Sequence, residues 1–274
     1  MAAAVAIALS DPLIQTIVGA VAAAAIAGIA WRARALTASG AIAAVIVGAV
    51  CAAAGWSWAA LLIAFFLTST GLGRIGRDRR ARRTGGIVAK GGARDARQVV
   101  ANGGAFALAA LGWLVDPSPA WLAVGGGALA AAASDTWATE IGSLARGSPR
   151  HIITWQRVPP GTSGAVSVPG TLASIAGALL IAGLAAISGW PRLVILATVV
   201  GGIAGSVADS LIGGTLQVRR WCDRCESGTE QSVHRCGTRT RVAGGIPWVD
   251  NDMVNISCVL VGGATAALVL MAVQ

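Results

Sequence analysis

Uncharged apolar runs alternate along this chain with short segments crowded with arginine. A helix that crosses a hydrocarbon layer of ~30 Å needs about 20 apolar residues. Eight runs reach or approach that length and predict spans at roughly 12–31, 36–55, 56–73, 99–115, 119–142, 164–189, 192–217 and 253–273. The second and third share a short GWSW turn, as a tilted hairpin would. No basic n-region precedes MAAAVAIALS, so a cleaved signal peptide is not expected.

Composition turns these runs into a class. Of 274 residues, 55% are hydrophobic and only 12% charged. The mean hydropathy is +0.71. A soluble domain carries about 25% charged residues, so this chain cannot cover a water-facing surface. It reads as an all-α, polytopic integral membrane protein. One transmembrane domain spans residues 1–274, with a loop at 218–250 inserted before the last helix.

Charge then sets orientation. The loops at 32–35, 74–98, 143–163 and 218–250 hold two, nine, three and six Lys/Arg, 20 of the chain's 21. The alternate loops hold only Arg192. The positive-inside rule puts the rich loops in the cytoplasm and both termini outside, an alternation that needs an even number of spans. The expected location is the plasma membrane, with the chemistry facing the cytoplasm. The net charge of +9 is therefore a property of one face. It suits anionic headgroups and phosphates and is no argument for nucleic acid. The ten Trp fall near span ends, as an aromatic belt would, and the 37 glycines permit close helix contact.

Against this background the acids stand out. Asp135 and Glu140 close an apolar run in ASDTWATEIG, and Asp209 interrupts LVILATVVGGIAGSVADSLIGGTLQV. A carboxylate at membrane depth costs ~2.5–3.5 kcal/mol on insertion scales, so it needs a cation, a proton or a water-filled cavity. Spans five and seven both run inward, which puts Asp135 and Asp209 at a similar depth. Their surroundings, GGALAAAASDTW and GGIAGSVADSLI, read as a parallel internal repeat. A bound divalent cation is the favoured reading, with a protonated, hydrogen-bonded pair as the competing one. Asp250 or Asp252 suits the N-cap of the last span. Asp135 and Glu140 lie ~140° apart on an ideal helix. Either the helix unwinds near Trp137 to Thr139, or the two acids serve different ligands.

Phosphate-binding groups surround these acids. Arg74 to Arg83 reads as a topology signal and headgroup anchor. Lys90, Gly91, Gly92, Arg94 and Arg97 precede a span that opens on Gln98 and Asn102, the arrangement of a glycine-rich anion cradle at a helix start. No G-x-x-x-x-G-K-[ST] motif is present. A second candidate is RVPPGTSGAVSVPGT, with Thr162, Ser163 and Gly164; a third is DNDMVNIS, where Asn251 and Asn255 share a helix face. Cys222, Cys225, His234 and Cys236 form C-x2-C-x8-H-x-C, four tetrahedral ligands for a closed structural Zn2+ site. His151 has no such company and reads as a surface residue.

ARDARQVVANGG, ASDTWATEIG, RVPPGTSGAVSVPGTLAS, GSVADSLIGGTLQ and VHRCG…GGIPWVDNDMVN occur in that order. Over residues 60–270 the chain resembles the membrane-protein family that includes plant phytyl phosphate kinase and vertebrate transmembrane protein 19. The Cys/His loop resembles bacterial members and is not shared across the family. The resemblance implies an all-helical polytopic fold. For the plant member it implies nucleoside-triphosphate-dependent conversion of an isoprenoid monophosphate to its diphosphate. The expectation is a prenyl phosphate kinase in which Asp135, Glu140 and Asp209 hold Mg2+, with Asp252 as a fourth contributor. Lys90, Arg94 and Arg97 would hold phosphates, with Asn102 at the same helix start. Thr162, Ser163 and Gly164 would cradle one phosphate, and Asn251 and Asn255 would position ligand or metal. CTP and ATP both fit as donor, and homo-oligomerisation is left open. Two rivals remain: a CTP-dependent lipid-phosphate nucleotidyltransferase and an ion-coupled transporter without enzymatic activity.

Overall fold

The computed structural model describes residues 12–85, 87–88 and 92–274. Each of the eight apolar runs forms one long helix: α1 (Pro12–Arg32), α2 (Ala38–Ala54), α3 (Trp56–Arg74), α5 (Ala96–Val115), α6 (Pro119–Gly142), α7 (Val168–Ile187), α8 (Arg192–Thr215) and α9 (Asn251–Val273). Six of these, α1, α3, α5, α7, α8 and α9, are long and apolar enough to cross a membrane by length and composition. α2, at 17 residues, is a shorter apolar helix. α6 dilutes its apolar run with Asp135 and Glu140 and is not among the six.

Local chemistry fixes several ends. The Thr37 hydroxyl accepts from the Gly40 amide to start α2. Asp95 and Gln98 form a reciprocal capping box at the head of α5. Ser167 caps α7 and Asp250 caps α9, so Asp250 rather than Asp252 takes the N-cap.

The loops are more ordered than an all-α reading allows. Helix α4 (Arg77–Thr84) lies in the first arginine-rich loop. Strands β1 (Arg150–His151) and β2 (Ala165–Val166) pair antiparallel. Strands β3 (Arg219–Cys222), β4 (Ser227–Thr229) and β5 (Arg241–Gly244) form an antiparallel sheet in the order β4-β3-β5. These strands are too short to leave a periodic signal in the sequence.

The bundle is organised around α6, which packs against α7, α8 and α9 and, less extensively, α5 and α3. From Gly125 to Ser134 every residue of α6 is buried. An α-helix covered on all sides shows no apolar stripe, and this stretch is glycine and alanine apart from Leu129 and Ser134. At the end opposite the acids, Trp58 packs on Phe106, Trp113 and Trp190, with centroids 4.9, 6.4 and 5.4 Å away. Trp58 and Trp190 are buried, so these two plug the bundle rather than join a headgroup belt. Trp31, Trp56, Trp155 and Trp248 are exposed, as belt residues would be.

Candidate functional site

A ladder of small residues brings the two deep acids together. On α6 and α8, Gly127 meets Gly201, and one turn further Ala131 meets Gly205. A Cβ added at Gly201 would stand 3.2 Å from Gly127 Cα, so the backbones are nearly in contact there. One turn further again, Asp135 and Asp209 face each other at hydrogen-bonding range. The two helices therefore run parallel, as the sequence repeat implies. Gly262 of α9 wedges against both, and Cys258 hydrogen-bonds the Ala131 carbonyl at 3.7 Å beside the acid pair. Asp209 Oδ2 is buried with no hydrogen-bond donor among the described residues. Two carboxylates turned on each other, one oxygen unsatisfied, are a donor set that fits a divalent cation.

Glu140 is engaged elsewhere. α6 continues unbroken to Gly142, so the helix does not unwind between Trp137 and Thr139. Glu140 consequently points away from Asp135, toward α3 and α4. Arg80 pairs with its carboxylate at 2.6 Å and also donates to the Glu140 carbonyl at 3.2 Å and the Gly73 carbonyl at 2.6 Å. Arg83 donates to the carbonyls of Ser143 and Gly147. These arginines satisfy orphan carbonyls at the C-terminal ends of α3 and α6 and one in the loop that follows α6. Arg80 and Arg83 are thus structural clamps, more than the headgroup anchor expected of Arg74 to Arg83. Arg94 also lies close enough to Glu140 to interact with it. Burial pulls the Arg94 guanidinium below its ordinary value, and the Glu140 charge opposes that shift.

The remaining predicted groups divide. Lys90 and Gly91 lie outside the described residues. Arg97, in the first turn of α5, pairs with Asp250 at 3.0 Å and with the buried Asp252 at 3.5 Å. Asp252 therefore faces an arginine. Asn102 donates to the Gln98 carbonyl at 3.0 Å, and Asn251 and Asn255 occupy successive turns at the start of α9.

The PPGTSG turn folds over the C-terminal end of α8. Gly161 and Gly164 adopt φ of +89° and +73°, and a Cβ at Gly164 would overlap Gly214 and the Ser210 carbonyl. Thr162 closes the turn by donating to the Pro159 carbonyl at 2.8 Å. Ser163 donates to Glu230. His151 corrects the surface reading. Its Nδ1 accepts from the Ile153 and Thr154 amides, so its Nε2–H donates to the Gly214 carbonyl at 3.2 Å.

The Cys/His lobe docks on the same surface. Cys222, Cys225, His234 and Cys236 offer ligand atoms that all lie within 4.8 Å of one another and could hold a metal ion. Cys222 and Cys236 Sγ are 3.6 Å apart, against about 3.8 Å for two thiolates at ~2.3 Å from a tetrahedral centre. Hydrogen bonding with Thr238 and His234 holds Cys236 down to about 5, whereas Cys236 beside it pushes Cys225 up to about 11. The Glu230 amide and Gln231 side chain donate to the carbonyls of Ile87 and Val88. Glu230 also lies close enough to Asp209 to interact with its charge. Arg80 and Glu230 were not singled out from the sequence. Both sit in charge-rich loops, and neither has a local motif to distinguish it from its neighbours.

The family model for "Integral membrane protein DUF92" matches residues 21–263. Protein PGR of Arabidopsis thaliana is 31% identical over 256 residues, covering 84% of this chain and 87% of the relative. The uncharacterized membrane protein MJ0933 of Methanocaldococcus jannaschii is 33% identical, covering 60% of this chain and 66% of the relative. A Synechocystis counterpart, sll0875, is 32% identical over 78% of this chain and 74% of its own length. No solved structure matches the chain. With the family model spanning most of the bundle, the chain belongs to the DUF92 family of integral membrane proteins.

Proposed function

We propose that the protein is a membrane kinase that converts an isoprenoid (phytyl or prenyl type) monophosphate to its diphosphate, using a nucleoside triphosphate and Mg2+. The observation that carries this reading is the Asp135–Asp209 pair, with Asp209 Oδ2 buried and without a donor. The resemblance to the family of phytyl phosphate kinase supplies the reaction class.

Asp135 and Asp209 would hold Mg2+, which would supply positive charge to offset that of the phosphates. Arg94 provides a cation for a phosphate on the Glu140 side. Gly164 offers a backbone turn beside Ser210, one residue after Asp209, and Glu230 holds the Ser163 hydroxyl next to it. The acceptor is already a phosphate, ionised near neutral pH, so no strong general base is needed. Phosphoryl transfer asks chiefly for positioning and charge stabilisation. The Cys/His lobe would hold Zn2+ as a closed structural site. In this reading α2 and α6 complete eight spans, both termini face outward, and the acids open to the cytoplasm of a plasma-membrane protein.

Purified protein incubated with γ-labelled or α-labelled CTP or ATP and a prenyl monophosphate tests the reading. Label from the γ-position in a lipid diphosphate, with release of nucleoside diphosphate, supports the kinase. Nucleotide-linked lipid and pyrophosphate would point to the nucleotidyltransferase. Solute uptake by proteoliposomes without turnover of any nucleotide would sink both.

A further inference from the structure

A cavity of about 380 Å³ lies between α1, α2, α3 and α5, and almost all of its wall is apolar. Its origin is legible in the side chains that build it. α1 contributes Ala23 and Ile26, α2 contributes Ala44 and Gly48, and α3 contributes Ala59 and Ile63. Alanine and glycine on three facing helices leave a hollow where leucines would close it. α1 packs on α2, and the space beside α3 remains. Ala22 and Ala60 at the rim are exposed, so the hollow opens sideways between α1 and α3.

One end of this hollow is polar. Arg94, Gln98 and Asn102 line it there. Gln98 is spent on the capping box and Asn102 on a backbone carbonyl. Arg94 is different: it is half-buried, makes no salt bridge within 4 Å among the described residues, and meets the Glu140 charge only at longer range. Its backbone is pinned to Ala35 and Thr37 by hydrogen bonds of 2.9 and 3.0 Å, so the side chain starts from a fixed point. Glu140 offsets part of the desolvation of this cation, and a phosphate at the polar end would offset more. An apolar hollow of this size matches a ligand site and exceeds the roughly 150 Å³ of a dry cavity known to bind small hydrocarbons.

We propose that this cavity holds the apolar chain of a lipid phosphate, with the phosphate at the Arg94 end. The inference rests on the kinase reading for its choice of isoprenoid chain, and it adds where that chain lies. Arg94 stands beside Glu140, on the helix that carries Asp135. A chain in the cavity therefore delivers its head toward the acid pair, from within the bilayer and through the gap between α1 and α3.

Binding without nucleotide tests this separately from catalysis. Protein in nanodiscs is titrated with C15 and C5 prenyl monophosphates, read by native mass spectrometry. The wild type should bind the C15 compound at least 100-fold more tightly than the C5 compound. Ala59→Phe and Ala44→Phe should erase most of that ratio and leave C5 binding unchanged. Arg94→Gln should weaken both compounds by a similar factor. A C15 compound carrying a diazirine should label peptides within 19–27 or 59–66, which scores the site even where a filled variant does not fold. Label confined to the outer faces of α7 and α8, a wild-type C15/C5 ratio near one, or displacement of C15 by bilayer phospholipid at equal affinity would overturn the proposal. Chain-length-dependent binding without nucleotide turnover would leave the cavity standing and remove the kinase reading.

Discussion

Asp209 faces Asp135 because Gly201 faces Gly127 and Gly205 faces Ala131, each pair one helical turn beyond the last. The acids are the terminal rungs of a ladder whose other rungs are small enough for two backbones to touch. The sequence repeat and the acid pair are thus one feature. Parallel helices in matching register carry equivalent positions to the same depth, and the last equivalent position on each is an aspartate.

The first prediction concerns charge at that rung. Asp209→Asn keeps the shape of the side chain and removes half of the cation's carboxylate set. Phosphate transfer should fall by about 100-fold or more, in the range for losing a group that stabilises transition-state charge. Thermal unfolding gives a readout independent of activity. Mg2+ should stabilise the wild type and leave the variant unmoved. Without Mg2+ the variant should be at least as stable as the wild type, because an amide at that position leaves no second carboxylate to bury beside Asp135. An Asp209→Asn protein that gains as much from Mg2+ as the wild type would remove Asp209 from the cation site.

A second prediction concerns the rung below. A Cβ at Gly205 would run into Ala131 and the Cys258 carbonyl. Gly205→Val should therefore destabilise the bundle by about 1–3 kcal/mol or more, the usual cost of overpacking, and should force Asp135 and Asp209 apart. Gly183, on α7, has open space where its Cβ would stand. Gly183→Ala should be neutral or stabilising by up to about 1 kcal/mol, since alanine restrains the helix at no packing cost. Unfolding of the two variants in the same detergent checks the contrast. Equal loss in both would mean that the ladder is not tightly packed.

The third prediction separates arginines that look alike in sequence. RDRRARRT gives no reason to prefer Arg80 over Arg79. In the fold Arg79 is exposed, whereas Arg80 holds the Glu140 carboxylate and two backbone carbonyls. Arg80→Ala should cost about 2–4 kcal/mol, because it strands a partly buried carboxylate along with its carbonyl partners. Arg80→Lys should recover only part of this, since an ammonium cannot reproduce the guanidinium fork. Arg79→Ala should stay within about 0.5 kcal/mol of wild type, as surface changes do. Matched thermal melts decide it; equal melting of Arg79→Ala and Arg80→Ala would reject the clamp.

The third case also shows what a sequence can reveal of such a bundle. The eight long helices appear as uncharged runs, because transfer into lipid penalises every interior charge. Asp135 and Asp209 stand out for the same reason. What stays hidden is the partner each acid finds. Glu140 and Asp135 share one run, yet helix geometry sends them to Arg80 and to Asp209. Trp58 sits at a span end like the other indoles, but Gly125 on α6 leaves a space that draws it inward. The cavity is likewise invisible, since it is set by which alanines face one another across three helices.

The last prediction tests the Cys/His lobe by acid. Cysteine thiols in an unfolded chain titrate near 8.5, whereas hydrogen bonding with Thr238 and His234 brings Cys236 down to about 5. A depressed value favours the thiolate. Its contribution to the folded lobe is full above about 8.5 and is lost as pH falls through about 5. Cys225 is shifted the other way, to about 11, by Cys236 beside it. That opposition is what a cation relieves, since a bound metal keeps neighbouring thiols deprotonated. Protons compete with the metal for all four ligands, so bound metal should be retained at neutral pH and released on acidification, followed with a chromophoric chelator. Cys225→Ser should lose the metal at neutral pH, and Cys51→Ala, on α2 far from the lobe, should keep it. Release should also loosen Glu230, which lies between the lobe and Ser163. Exchange of the Glu230 amide, now bonded to Ile87, should quicken in the metal-free protein. Unchanged exchange on metal removal would uncouple the lobe from the acid pair.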